Sequence, residues 1–313
     1  MVDVTYRTVQ GRYLLRPSRQ LNRIVVGIFA RAQKLHPVKL IGLSCLSNHL
    51  HLLLHVEDQE QLSDFMNRFG GDVVREINRL HGWEDSIWRC RYRAIVITDE
   101  ESAQLGRVAY LLAQGVKEGL VAKVAQWPGL HFGQQLQEGR CYLVGQEVDR
   151  TALYRARQRG RDPDPEDFVV EHLVELHPPP CFADRTWREY CQWVEATIRD
   201  IERRAAEERE REGTAVLGVR AILDQHPHAR PIEGLETTPA PRVHAASKKA
   251  REAFREAFGC FLAAFREASA RLRAGERGVV FPQGCFPPAR PYVRAGDGPV
   301  PGPRAGPGSL SAA

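Results

Sequence analysis

Ser47-Asn48-His49-Leu50-His51-Leu52-Leu53-Leu54 is the stretch on which the fold of this sequence turns. Side chains alternate along a β-strand, so residues two apart share a face. His49 and His51 then stand side by side, while Leu50, Leu52, Leu54 and Val56 line the other face. One face buries itself against helices. The second, expected to be open, offers two imidazole nitrogens to a metal ion. His55 falls on that side too, but it lies roughly 13 Å along the strand from His51, too far to share one ion. It reads as a phosphate contact or a solvated residue.

Outward from this strand, residues 38–45 form its hairpin partner across a Ser47-Asn48 turn. Upstream, the apolar run at residues 12–16 reads as a strand broken by Pro17. Ser18 caps a helix marked by Leu21, Ile24, Val25, Ile28, Ala32 and Leu35, which Pro37 ends. Downstream, Leu62, Phe65, Met66, Phe69, Val73, Ile77 and Leu80 trace a second amphipathic helix. The Gly70-Gly71 pair weakens its middle. Residues 87–97 read as a strand with Arg89, Arg91 and Arg93 on one face and Trp88, Cys90 and Tyr92 on the other. Asp99 is expected to cap a third helix that stops at Gly115. The order β-α-β-β-α-β, then a helix, is that of an α+β ferredoxin-like split βαβ domain.

The chain has 313 residues, 43% of them hydrophobic and 27% charged, with a net charge of +5. Arginine outnumbers lysine, which suits bidentate phosphate contacts. Seven cysteines form no CxxC pair, so neither a zinc ribbon nor a disulfide framework is expected. No apolar run approaches the roughly 18 residues of a membrane span. No charged-then-apolar leader opens the sequence, so a reduced, cytoplasmic protein is expected.

The texture changes after about residue 140. The organisation read from it is a first domain over residues 1–140, an irregular linker over 141–185, a mainly helical region over 186–280, and a Pro/Gly-rich, disordered tail over 281–313. Thr186 and Glu189 fit a capping box that opens a charged helix. Phe254, Phe258, Phe261, Phe265, Ala268 and Leu272 mark a last helix ended by Gly275.

The chemistry gathers around the third helix. Tyr110 and Gln114 are four residues apart and share a helix face. His49, His51 and Gln114 supply two nitrogens and one carbonyl oxygen, a set suited to Mn²⁺ or Mg²⁺, with Zn²⁺ also compatible. Tyr110 can then attack a metal-polarised phosphodiester. Arg89, Arg91 and Arg93 read as DNA-phosphate contacts if their face adjoins the site.

The His-x-His pair, the Tyr-x-x-x-Gln helix and the strand order resemble the IS200/IS605 single-tyrosine HUH transposases, closest to those associated with repetitive extragenic palindromes. Asn78-Arg-Leu-His-Gly-Trp, Ile87-Trp-Arg-Cys-Arg-Tyr-Arg-Ala-Ile, Gly119-Leu-Val-Ala and Trp127-Pro-Gly extend the resemblance over about residues 5–135. It implies single-stranded or hairpin DNA as substrate, a 5′-phosphotyrosine intermediate at Tyr110, metal ligation by His49, His51 and Gln114, and a homodimer. Where the palindrome-associated relatives often carry Asn-Pro, this chain has Gln114-Gly115. That departure marks a side branch, and the competing reading is a domesticated protein that binds hairpin DNA or RNA without cutting it.

Overall fold

Strand alternation and helix capping set the elements of the computed structural model, which describes residues 1–160, 162–231 and 241–287. β1 (Val2–Arg7) buries Val2, Val4 and Tyr6 on one face and turns Asp3 and Thr5 to the other. Ser18 Oγ accepts from the Leu21 N–H at 3.0 Å and opens α1 (Arg19–Leu35). β2 (Lys39–Leu46) and β3 (His49–His55) form the hairpin. Asp58 caps α2 (Gln59–His81), and Gly82, at φ +59°, ends it in the left-handed region. β4 (Arg93–Ile97), α3 (Glu101–Leu112) and α4 (Phe132–Gln137) follow. The result is a mixed α+β architecture around a central sheet ordered β2-β3-β1-β4-β7. The first four strands pair antiparallel. The short β7 (Val243–His244) joins β4 in parallel.

α1 and α2 cover one face of this sheet. Tyr6 donates to the Met66 carbonyl of α2 at 3.4 Å and stacks on Trp88, with ring centroids 4.3 Å apart. The glycine pair in α2 is explained by that contact. A Cβ on Gly70 would collide with the Tyr6 hydroxyl, whereas one on Gly71 meets only the tip of Arg75, 3.8 Å away. Gly70→Ala is therefore expected to destabilise the fold by about 1–3 kcal/mol through overpacking. Gly71→Ala is expected to stabilise it by up to about 1 kcal/mol, as helix propensity dictates. Urea titration of the two variants checks this opposition of sign.

The second face is not open over its whole width. Gly42 pairs with Leu53 in register, and a Cβ on it would meet Leu111 of α3 and Phe132 of α4, both at 3.0 Å. Those two helices bury Leu53 and the β2 side of the face. Only the side toward β1 and β4 stays accessible, where Arg7 and Arg93 are exposed.

Other expectations are corrected. The first strand is Val2–Arg7, not residues 12–16, which pair with no strand among the described residues; there the Leu15 N–H bonds instead to the Ser47 carbonyl at 2.9 Å. The fourth strand starts at Arg93. Before it, the Trp88 backbone makes only an isolated bridge to Thr8, because β1 has ended at Arg7. α3 is preceded by Glu100 in the N-cap position rather than Asp99. The Glu100 carboxylate instead accepts from Thr98 Oγ1 and from the backbone N–H groups of Ala246 and Ser247.

Residues 141–185, expected to be irregular, hold β5 (Tyr142–Val148), α5 (Arg150–Gln158) and β6 (Val169–Glu175). β5 and β6 pair antiparallel as a separate two-stranded sheet packed on α1. The capping box of Thr186 and Glu189 opens α6 (Trp187–Glu212). α7 (Val219–Leu223) and α8 (Lys248–Arg273) complete the helices among the described residues.

Contacts divide the chain into two units, Met1–Phe254 and Arg255–Ala313. In the second, Phe258, Phe261 and Phe265 stack in sequence, with centroids 6.2 and 6.4 Å apart. Of the expected disordered tail, residues 288–313 lie outside the described residues. Among the described residues, no helix is long and apolar enough to cross a membrane.

Candidate active site

Strand β3 presents His49 and His51 on one face, with ring centroids 5.1 Å apart. The His49 Nδ1–H donates to Asn48 Oδ1 at 2.8 Å, which leaves the lone pair on Nε2. That Nε2 lies 3.3 Å from the side-chain amide of Gln114. Burial is the main force pushing the His49 pKa down to about 3, with the neighbouring His51 adding to it against the Gln114 contact. The ring is therefore neutral at physiological pH, with an available nitrogen.

Gln114 lies just past the last turn of α3 and is buried. Its best-paired orientation directs the amide nitrogen to Glu118 Oε1 at 3.1 Å and the oxygen to Lys117 Nζ at 2.8 Å. In that orientation an N–H faces the His49 lone pair. The opposite orientation would turn the oxygen toward the imidazoles, as a cation would require. Among the described residues, no group of three or more His, Cys, Asp or Glu converges as a metal site. The side chains that do gather are two imidazoles and one amide, and only the opposite amide orientation would make them a donor set of a type suited to Mg²⁺ or Mn²⁺.

Tyr110 stands beside His51 of the same chain, with ring centroids 6.1 Å apart, and is 38% exposed. Its ring carries two cations. Lys117 Nζ is 3.3 Å and Arg107 Cζ 3.9 Å from the centroid. Both also place positive charge where a phosphate would approach the phenol.

With Lys117, four further residues of this arrangement lie outside the set read from the sequence: Thr5, Asp3, His244 and Arg107. Thr5 pairs with His51 in register, and its Oγ1 lies 3.0 Å from His51 Nδ1. Asp3, buried on the same face, lies 3.7 Å from that nitrogen, 3.5 Å from His244 Nε2, and in contact with the Arg107 guanidinium. Burial alone would raise the Asp3 pKa. The His244 and His51 contacts and the Arg107 charge outweigh it and hold the carboxyl well below the usual range. Thr5 Oγ1 is the group within hydrogen-bond distance of His51 Nδ1, and the Asp3 carboxylate places negative charge behind the ring. Arg107 thereby links the carboxylate behind His51 to the ring of Tyr110.

The three strand arginines do not act as one face. Arg93 pairs with Thr5 on the histidine side. Arg91 lies over Tyr92, 5.1 Å from the ring centroid, and reaches Ser63 of α2 at 3.5 Å. Arg89 precedes the strand, its N–H bonded to the Arg7 carbonyl at 2.8 Å. The cation that does neighbour His49 in register is Arg7. His55 is exposed at the end of β3.

Residues 16–114 match the family described as Transposase IS200 like. That match covers about a third of the chain, a segment similar to the family. His49, His51, Tyr110 and Gln114 all fall inside it, whereas Asp3, Thr5 and Lys117 lie outside. Two of the solved structures that resemble the chain illustrate the likeness. One is a protein from Deinococcus radiodurans R1 described as a candidate transposase, with 16% identity, a TM-score of 0.27, and coverage of 35% of this chain and 87% of that one. The other is a REP-associated tyrosine transposase bound to a REP hairpin, with 19% identity, a TM-score of 0.34, and coverage of 41% and 73%. No curated protein matches the sequence.

His131, packed against the end of α3, is buried, and burial brings its pKa down to about 4 against the opposing carbonyls of Leu111 and Leu112. A folded-state pKa below the unfolded value of about 6.5 means that the unfolded chain binds more protons as pH falls. Stability is then full above pH ~6.5 and declines from there toward pH ~4. A loss of roughly 2 kcal/mol between pH 7 and pH 5 is expected from His131 alone, with His49 acting in the same sense. Urea midpoints measured at the two pH values test it.

Proposed function

We propose that this chain nicks and rejoins single-stranded or hairpin DNA, with Tyr110 as nucleophile and His49, His51 and Gln114 holding one Mg²⁺ or Mn²⁺ ion. The observation that carries the reading is the convergence, within a segment matching the IS200-like transposase family, of two imidazoles, an amide and a half-exposed phenol in one chain. The split βαβ reading of the sheet goes with it, supported by the strand order β2-β3-β1-β4.

The Tyr110 oxygen attacks the phosphorus, and its proton passes to solvent. The bond from phosphorus to the 3′-oxygen breaks, and that oxygen leaves as a free 3′-hydroxyl. The phosphate stays on the tyrosine as a 5′-phosphotyrosine ester. A hydroxyl from another strand end reverses the step, so joining needs no nucleotide cofactor. The bound ion would supply Lewis-acid polarisation of the phosphate. Lys117 and Arg107 hold the phenol ring and add positive charge beside the reacting group. Thr5 holds the His51 ring, and Asp3 places negative charge behind it. Because one chain brings the phenol beside its own imidazoles, the proposed homodimer would carry one constellation per protomer.

The test is incubation with palindromic single-stranded DNA and Mn²⁺, with a covalent protein–DNA product read on a denaturing gel. Binding without any product would instead favour a non-cutting hairpin binder. Asp3→Asn is expected to weaken Mn²⁺ binding about 10–100-fold by removing the negative charge behind His51. It is also expected to destabilise the fold by roughly 3 kcal/mol, since Arg107 loses a buried partner. Calorimetric Mn²⁺ titration and urea unfolding read the two effects separately.

A further inference from the structure

On the α1/α2 side of the sheet, away from the histidines, α1, α2 and the β5–α5 segment enclose a cleft of about 780 Å³. Arg19, Arg23 and Arg31 of α1 face Arg68, Arg75 and Arg79 of α2 across it, and Arg150 of α5 closes it. The rows run along their helices for roughly 18 and 16 Å at 1.5 Å per residue. Four carboxylates share the cleft with these seven guanidiniums. Asp72 meets Arg68 and Arg75, Glu76 meets Arg79 and Arg150, and Glu147 meets Arg31. Among the described residues, no carboxylate pairs with Arg19 or Arg23. Arg23 donates only to the Gln146 amide oxygen, at 3.1 Å.

We infer that this cleft is a second anion site, which grips the phosphodiester backbone of a DNA stem. The inference deepens the proposed function and rests on it for its choice of ligand. A mononucleotide needs one cluster of cations, whereas two facing rows suit an elongated polyanion. At about 3.4 Å per phosphate, rows of this length span some five phosphates of one duplex strand. Guanidiniums match phosphate bidentately. Contacts of this kind hold and orient a duplex without reading its sequence. That is what the stem of a hairpin requires while its single-stranded flank reaches the tyrosine. The resident carboxylates hold five of the arginines extended, and Arg19 and Arg23 offer the free charge at which binding starts. The third wall, from Gln146 to Arg150, lies outside the family match. The site therefore belongs to this chain's own elaboration.

The test compares the full chain with R19E/R23E and the milder R19Q/R23Q. Both positions are exposed on α1, so melting temperatures serve as the folding control. Fluorescence anisotropy with a labelled hairpin, at about 50–200 mM salt, is expected to show at least about tenfold weaker binding for the reversal. A smaller loss of the same sense is expected for the neutral pair. The slope of log affinity against log salt should shrink by about 2 for either pair. A stemless strand of equal length should lose less than about twofold, since it makes few backbone contacts there. Unchanged hairpin affinity and slope would overturn the inference, as would equal losses for both DNAs. Displacement of the hairpin by stoichiometric mononucleotide would assign the cleft to a small phosphate ligand and overturn it too. Absence of a covalent product in the wild-type chain would instead strike the nuclease reading, and the binding comparison would still decide the cleft.

Discussion

Tyr110→Phe should reduce the covalent protein–DNA product by about 10³-fold or more while leaving hairpin affinity within about threefold. The substitution removes one oxygen from a ring that is 38% exposed, so its structural cost is small. A change in unfolding free energy beyond about 0.5 kcal/mol is not expected. Lys117 and Arg107 can still sit over the phenyl ring, though a phenyl face attracts cations somewhat less. The ring therefore keeps its place beside His51, and what disappears is the nucleophile. Parallel assays of adduct formation, affinity and melting temperature separate this outcome from unfolding. If adduct persists at more than a few per cent, the attacking group lies elsewhere, and the convergence at His51 has another meaning. His49→Ala supplies the contrast: it removes an inner donor and should abolish both Mn²⁺ binding and adduct, with Tyr110 intact.

What sequence shows of this site depends on how local each relationship is. His49 and His51 are two residues apart, and the leucines between and after them announce the alternation, so a strand with a paired imidazole face is legible. Tyr110 and Gln114 are four apart; the helix ends at Leu112, yet the following turn keeps Gln114 on the same side. Asp3 is different. It reaches His51 only through pairing of strands 46 or more residues apart, and a first strand placed at residues 12–16 leaves it outside the sheet. The clue was present in Val2-Asp-Val-Thr-Tyr-Arg, a clean alternation that places Asp3 and Thr5 together. The common face expected of Arg89, Arg91 and Arg93 does not form, for the opposite reason. Their period of two is genuine, but it counts only where a neighbouring strand exists, and β1 stops at Arg7. Pro163 and Pro165 fall between β5 and β6, so they interrupt the segment there rather than keep all of it irregular.

The β5–β6 sheet meets α1 at two glycines, and this contact sets the other large effect. A Cβ on Gly27 would lie 2.5 Å from the Gln146 carbonyl oxygen, and one on Gly145 would press on the backbone of Val26 and Gly27. In each case the obstacle is main chain, which cannot turn aside as a side-chain tip can. The backbones approach this closely only because both positions lack a side chain. Gly145→Ala or Gly27→Ala must therefore lift the strand from the helix, and a loss of roughly 3 kcal/mol or more is expected for either. Because the obstruction is shared, the double variant should cost less than the sum of the two singles. The same displacement moves Gln146, Glu147 and Arg150, which wall the arginine-lined cleft. Hairpin affinity should fall with stability, even though neither glycine touches the cleft. Urea unfolding and anisotropy on the three variants check both consequences. A Gly145→Ala chain of wild-type stability would show that the sheet rides on α1 more loosely than this contact requires.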